Sequence, residues 1–127
     1  MTLLDTNTVI YFLSDSTEAS VLTAIEEMIG DRSPMLSIIT EVELLCWNPN
    51  DPSLLEPYRA FVGLSTVLAF DESVKEVTIQ IRRDYRIKLG DAIIAATAQV
   101  HQLTLVTRNE RDFHRIPDLA LLNPFQI

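Results

Sequence analysis

The sequence contains one cysteine, three glycines and two histidines among 127 residues, and each scarcity removes a class of protein. A single thiol, Cys46, excludes an internal disulfide and any cysteine-rich zinc site. It suits a reducing, cytosolic compartment and is expected to act as a small buried apolar side chain. With so few glycines there is no GxGxxG or Walker-type phosphate loop. His101 and His114 have no partner at metal-ligand spacing and read as surface residues. No apolar run approaches the roughly 20 residues of a membrane span. The N-terminus carries Asp5 inside a short apolar run and no basic segment, so it does not read as a signal peptide. Basic residues are also scarce: ten Lys and Arg stand against eighteen Asp and Glu, a formal charge of −8. That argues against a broad basic surface gripping nucleic acid. It leaves open contact with phosphates through bound cations.

What is present is a folding composition, 47% hydrophobic and 22% charged. A chain of this length is expected to form one domain over residues 1–127 and to bury roughly two thirds of its unfolded surface. LLD reads as a short strand, followed by a turn at Asp5-Thr6-Asn7 and an apolar helix. STEASVLTAIEEMIGD reads as a helix with Ser or Thr as N-cap, apolar at Val21, Ile25, Met28 and Ile29, and ended by Gly30. MLSII is a second strand and TEVELLCW a helix stopped at Asn48-Pro49. A helix over Leu54 to Val62 and a strand STVLAF follow. DESVKEVTIQIRRDYRI is a helix with Asp71 as N-cap and apolar positions at Val74, Val77, Ile81 and Tyr85. A strongly apolar helix begins near Asp91. LTLVT is a fourth strand, and ALLNP is a candidate fifth. Strands alternating with helices imply an α/β fold with a parallel sheet covered on both faces. Ligands in such sheets bind beyond the carboxyl ends of the strands, near a switch point.

Four acids fall at such positions. Asp5 closes the first strand. Glu43 follows the second and shares a helix face with Thr40 and Leu44, which places it on the side expected to be buried. Asp91 opens the late apolar helix, and Asp112 lies just past the fourth strand. Asp5 and Asp91 each also fit a helix N-cap, and Asp112 also fits a solvated loop. Carboxylates gathered in one cleft repel and need neutralising. A hard divalent cation with oxygen ligands does this, and such an ion can bind a phosphodiester and activate water.

The chain resembles PIN-domain ribonucleases, most closely VapC-type toxins. The resemblance rests on LLDTN, SIITEVELL, KLGDAIIAATAQ and LVTRNERDF, in that order, and covers nearly the whole chain. It implies a three-layer α/β/α sandwich around a central parallel sheet of four to five strands. It implies Mg²⁺- or Mn²⁺-dependent endoribonuclease activity leaving a 5′-phosphate and a 3′-hydroxyl. Carried over, the catalytic acids are Asp5, Glu43, Asp91 and Asp112, with Asp5 and Asp91 as metal ligands. Thr6, Asn7, Thr107 and Asn109 are supporting polar groups, and Asp112, Asn109 or a water held by both completes the site opposite Asp5. The resemblance also implies a homodimer and a cognate antitoxin that blocks the site.

Basic residues flank two of the acids. Arg82, Arg83, Arg86 and Lys88 precede Asp91, and Arg108, Arg111 and Arg115 surround Asp112, so RNA phosphates are candidate contacts beside the alternative of a solvated face. Trp47 is expected in the core or a dimer contact. Two rival readings fit less well. A haloacid-dehalogenase-type phosphatase needs a second acid where Asn7 stands and another where Ala95 stands. A receiver-like Mg²⁺ switch needs an acidic pair after the first strand and a lysine after the fifth, and no lysine follows Lys88. A PIN-fold processing nuclease without a toxin role, or a silent binding module, remains as a further alternative.

Overall fold

The computed structural model describes residues 1–126. Five short strands, β1 (Thr2–Leu4), β2 (Met35–Ser37), β3 (Thr66–Leu68), β4 (Thr104–Val106) and β5 (Leu121–Leu122), form one sheet. Its order is β3-β2-β1-β4-β5, and every pairing is parallel. The helices are α1 (Thr6–Leu13), α2 (Ala19–Ile29), α3 (Ile38–Leu45), α4 (Glu56–Leu64), α5 (Glu72–Asp84), α6 (Leu89–Val100) and the single turn α7 (Glu110–Phe113).

Alternation along the central strands sorts the core into two layers. Leu3 and Leu105 point to one face, where Val74, Ile81, Phe113 and the alanine-rich stretch of α6 pack. Leu4, Leu36 and Val106 point to the other, against Val9 of α1, Leu44 of α3 and Phe61 of α4. A parallel strand with both faces covered has no polar side to offer, which is why LL and LV replace an alternating pattern. The result is the expected three-layer α/β/α sandwich. The order reverses between β1 and β4. The chain builds outward from β1 through β2 to β3, then crosses back to β4, so the carboxyl ends of β1 and β4 border the crevice.

Several local expectations are corrected. The strand expected over MLSII ends at Ser37, because the Ser37 hydroxyl caps the N–H of Ile39 and starts α3 at Ile38. The helix expected from Leu54 begins as a 3-10 turn at Pro52, capped by Asp51, and becomes α-helical at Glu56. α2 takes Glu18 as its N-cap without a side-chain bond. The Thr17 hydroxyl instead donates to the Tyr11 carbonyl at 2.6 Å. Cys46 is exposed, because α3 ends there and the chain turns outward. Trp47 is outside the core, 46% exposed and edge-on to Tyr58. Asp71 caps α5 through the N–H of Val74 at 2.9 Å, as its sequence position requires.

Candidate active site

Asp5 sits at the carboxyl end of β1 and is 6% exposed. Its backbone N–H donates to Val106 of β4, and its carboxylate accepts the N–H of Thr8 at 2.8 Å, starting α1. The capping expectation is therefore met, and it leaves the carboxylate at the crevice. Burial raises the Asp5 carboxyl above its ordinary value, and hydrogen bonds from Thr107 and Thr8 partly offset this. The Thr8 hydroxyl is committed to the Val106 carbonyl at 3.0 Å, so Thr8 ties β1 to β4 beneath the acid. Thr107, fully buried at the end of β4, also accepts the N–H of Asn109 at 2.9 Å.

Asp91 does not cap α6. The helix starts at Leu89, Lys88 occupies the N-cap position without a side-chain bond, and Asp91 lies in the first turn. Its carboxylate is therefore free of capping duty and lies at the positive end of the helix dipole. Its pKa is nonetheless raised, first by burial and then by the charges of Asp5, Glu43 and Asp112, with only Lys88 opposing. Acids from three other segments thus act on Asp91 at a single edge of the sheet.

Glu43 corrects the sequence reading. It is exposed, although Thr40 and Leu44 on the same face of α3 are buried. The reason is its place in the last turn of a short helix, where the side chain reaches the rim of the crevice. One oxygen accepts the Thr6 hydroxyl at 2.6 Å, and the same hydroxyl lies 3.1 Å from that of Thr40. The other oxygen lies over Gly90, where an added Cβ would stand 3.1 Å from it. Glycine at this position lets the first turn of α6 approach α3.

On the far side, the Asn109 amide donates to Asp112 at 3.0 Å. Asn109 thus positions Asp112, and Asp112 is the group whose charge reaches Asp91. Asn7 is exposed on α1. Among the described residues every buried side-chain nitrogen or oxygen has a hydrogen-bond partner, so the pocket is held rigidly. The supporting groups missed from sequence are Thr8, Thr40 in its bonding role, and Gly90. The signal for Thr8 was present in the cap spacing of DTNT.

Four carboxylates supply the all-oxygen donor set that suits Mg²⁺ or Mn²⁺. Among the described residues no three His, Cys, Asp or Glu side chains stand close enough together to enclose an ion. A cation here would be held by one or two carboxylates and keep several waters, a coordination that Mg²⁺ accepts, and not by an all-protein cage.

The basic residues separate into two kinds. Arg82 donates to the Ile87 carbonyl at 2.6 Å and Arg115 to the Arg86 carbonyl at 2.9 Å, so both brace the loop leading into α6. Arg83, Arg86, Lys88, Arg108 and Arg111 are exposed. The only ion pair among the described residues is Lys75–Glu72, so none of these five is held in an ion pair, though Lys88 lies near enough to Asp91 to act on its carboxyl. His101 and His114 are exposed, as expected.

An acidic crevice at the switch point of a five-stranded parallel sandwich is the arrangement of a PIN domain, and the PIN domain family matches residues 2–119; the chain belongs to it. Within that family it groups with the nuclease toxins of toxin–antitoxin systems. It is 32% identical to Toxin FitB of Neisseria gonorrhoeae, over 98% of this chain and 99% of that one. Among solved structures it is similar to a toxin–antitoxin complex from Klebsiella pneumoniae, at 30% identity, TM-score 0.77 and full coverage of both chains. It is also similar to DNA-bound VapBC from Salmonella typhimurium, at 27% identity and TM-score 0.82, over 98% of this chain and 99% of that one. No helix among the described residues is long and apolar enough to cross a membrane.

Proposed function

We propose that this chain, as one PIN domain over residues 1–127, is a divalent-metal-dependent endoribonuclease that acts in the cytoplasm as the toxin of a toxin–antitoxin pair. The observation that carries this reading is the setting of Asp91, whose carboxyl is raised first by burial and then by three other acids from separate segments, with a single lysine in opposition. Such a set is costly for a protein to maintain without a cation. Asp5 and Asp91 would hold Mg²⁺ or Mn²⁺, directly or through water, with Glu43 and Asp112 completing the pocket. The cation, when bound, supplies charge neutralisation at the scissile phosphate and a more acidic water.

The chain's own residues do the rest. Thr8 and Thr107 fix Asp5, Thr6 fixes Glu43, and Asn109 fixes Asp112. Arg83, Arg86, Lys88 and Arg111, none of them in an ion pair, bind phosphates flanking the cut, and Arg108 contacts the RNA beside them. Asn7, exposed at the start of α1, is left to contact substrate or water. The similar FitB and VapC chains come from complexes with antitoxins, which supports an antitoxin partner here, and we propose a homodimer as the assembly.

The test is RNA cleavage by purified protein with Mg²⁺ or Mn²⁺ and with EDTA, alongside expression with and without the neighbouring gene. Metal-dependent cleavage, and growth arrest relieved only by that gene, are expected. Cleavage without growth arrest would favour a processing nuclease. Undiminished cleavage by Asp5→Asn and Asp91→Asn proteins would refute the site.

A further inference from the structure

Beside the acidic crevice lies a cavity of about 690 Å³, formed by α1, one side of α2 from its start to Glu27, Arg108 and the C-terminal segment. None of the four acids lines it. Its walls carry Tyr11, Glu18, Glu27, Arg108 and Phe125, with serine and threonine hydroxyls between them. The Arg108 guanidinium stands 4.1 Å from the centre of the Phe125 ring and 5.6 Å from that of Tyr11. The two rings meet edge to face at 5.0 Å. A planar cation laid on an aromatic ring, and unpaired with any acid among the described residues, is held in a fixed orientation and keeps its donors free.

The position ties this cavity to the crevice. Arg108 lies two residues past Val106, whose carbonyl accepts the Asp5 backbone N–H at 3.2 Å. Tyr11 lies on the helix that Asp5 caps, six residues on, about 9 Å by helix rise. A strand whose phosphate sits at the acids has its neighbouring base within reach of this wall.

We propose that the cavity is a nucleobase subsite that seats one unpaired base flanking the cut phosphodiester, with guanine favoured. It rests on the ribonuclease reading above. Unpaired RNA bases are recognised by stacking on aromatic or guanidinium planes and by hydrogen bonds to their edges. The Phe125–Arg108 stack offers the plane. Glu18 and Glu27 repel a phosphate, which excludes the backbone from the cavity. A carboxylate only accepts hydrogen bonds. Guanine presents two adjacent donors, N1–H and the N2 amino group, which a carboxylate can accept together. The other three bases present a single donor group on that edge. The volume is in the range of ligand sites and admits a purine nucleoside.

The experiment uses full-length protein with Mg²⁺ and a pool of single-stranded oligoribonucleotides randomised in sequence, the product ends being sequenced. Arg108→Ala, Phe125→Leu, Glu18→Gln and Glu27→Gln are compared with the unmutated protein, each with its thermal midpoint as a folding control. Cuts beside guanine are expected, with kcat/KM on such sites falling about fivefold or more, mainly through KM, in the Arg108 and Phe125 variants. One of the two glutamine variants should flatten the guanine preference while still cutting elsewhere. In parallel, binding of a fluorescent guanine-containing pentaribonucleotide is measured in EDTA. Unchanged preference and unchanged binding in all four variants overturn the proposal. So does loss of co-purification with the co-expressed antitoxin at unchanged base preference, which assigns the cavity to the protein partner. If the unmutated protein cuts no RNA, the ribonuclease reading fails. The binding arm then decides the cavity alone: weaker binding by the variants sustains a base subsite, and equal binding ends it.

Discussion

Asp91 and Asp5 carry the most at the scale of single residues. Both carboxyls are raised in the folded protein, by burial first, and Asp91 also by its acidic neighbours. A raised pKa means the folded state holds the proton more tightly than the unfolded chain. The stability these groups contribute is therefore fully present below the ordinary carboxylate value of 3.8 and is lost as pH rises through their folded values. In metal-free buffer the unmutated protein should lose more stability than Asp91→Asn as pH rises from about 4 to 7. Thermal unfolding followed by circular dichroism measures this, and Mg²⁺ should narrow the gap. Parallel pH profiles for the two proteins would contradict it. Asn also caps helices, so Asp5→Asn should keep α1, whereas Asp5→Ala should cost about 0.5–2 kcal/mol. Gly90→Ala is a second residue-scale test. Helix propensity favours alanine by up to about 1 kcal/mol, yet its Cβ would stand 3.1 Å from Glu43. The expected outcome is reduced RNA cleavage in a protein whose melting temperature is not lowered.

Elements position these residues, and α7 is the most exposed to failure. It is a single turn, too short to persist by itself. Phe113 anchors it, fully buried in the α5–α6 layer next to Asp112. Phe113→Ala should cost about 3–5 kcal/mol and lower cleavage beyond the stability loss, because Asp112 loses its support. Chemical denaturation and cleavage at a temperature where the variant is folded separate the two effects. α6 shows the opposite case. From Ala92 to Ala98 every residue is buried, so the helix is locked into the core and holds Asp91 rigidly at its first turn.

For the molecule as a whole, the charge of −8 sets the terms of contact with a polyanion. Seven of the ten basic residues fall between Arg82 and Arg115, in the segments that lead into Asp91 and surround Asp112. On the proposed reading, the rest of the surface would repel RNA and orient its approach toward this region. Salt should therefore weaken RNA binding with a shallow slope, set by the few phosphates these side chains reach. A log-log plot of affinity against salt concentration measures it, and a slope as steep as that of a broad basic surface would contradict the picture. The same acidic surface suits a basic partner segment.

Much of this architecture is written locally. The strand and helix order, the parallel sheet and the strand-end acids follow from apolar runs, cap residues and spacing, each a property of neighbours in sequence. Asp71 starts α5 and Gly30 ends α2 where the sequence places them for the same reason. Other features depend on which segments meet. The approach of α6 to α3 across Gly90 set Glu43 at an open rim despite its apolar neighbours. The start of α6 at Leu89 moved Asp91 from a cap into the first turn. The link from Thr107 to Asp5 joins residues about a hundred positions apart, and Arg108 finds Phe125 only because the C-terminal segment folds back against α1. Local chemistry determined the list of acids. The crossover from β3 to β4 decided that they would face one another, because it is the sheet order, and not any one motif, that places the ends of β1 and β4 side by side.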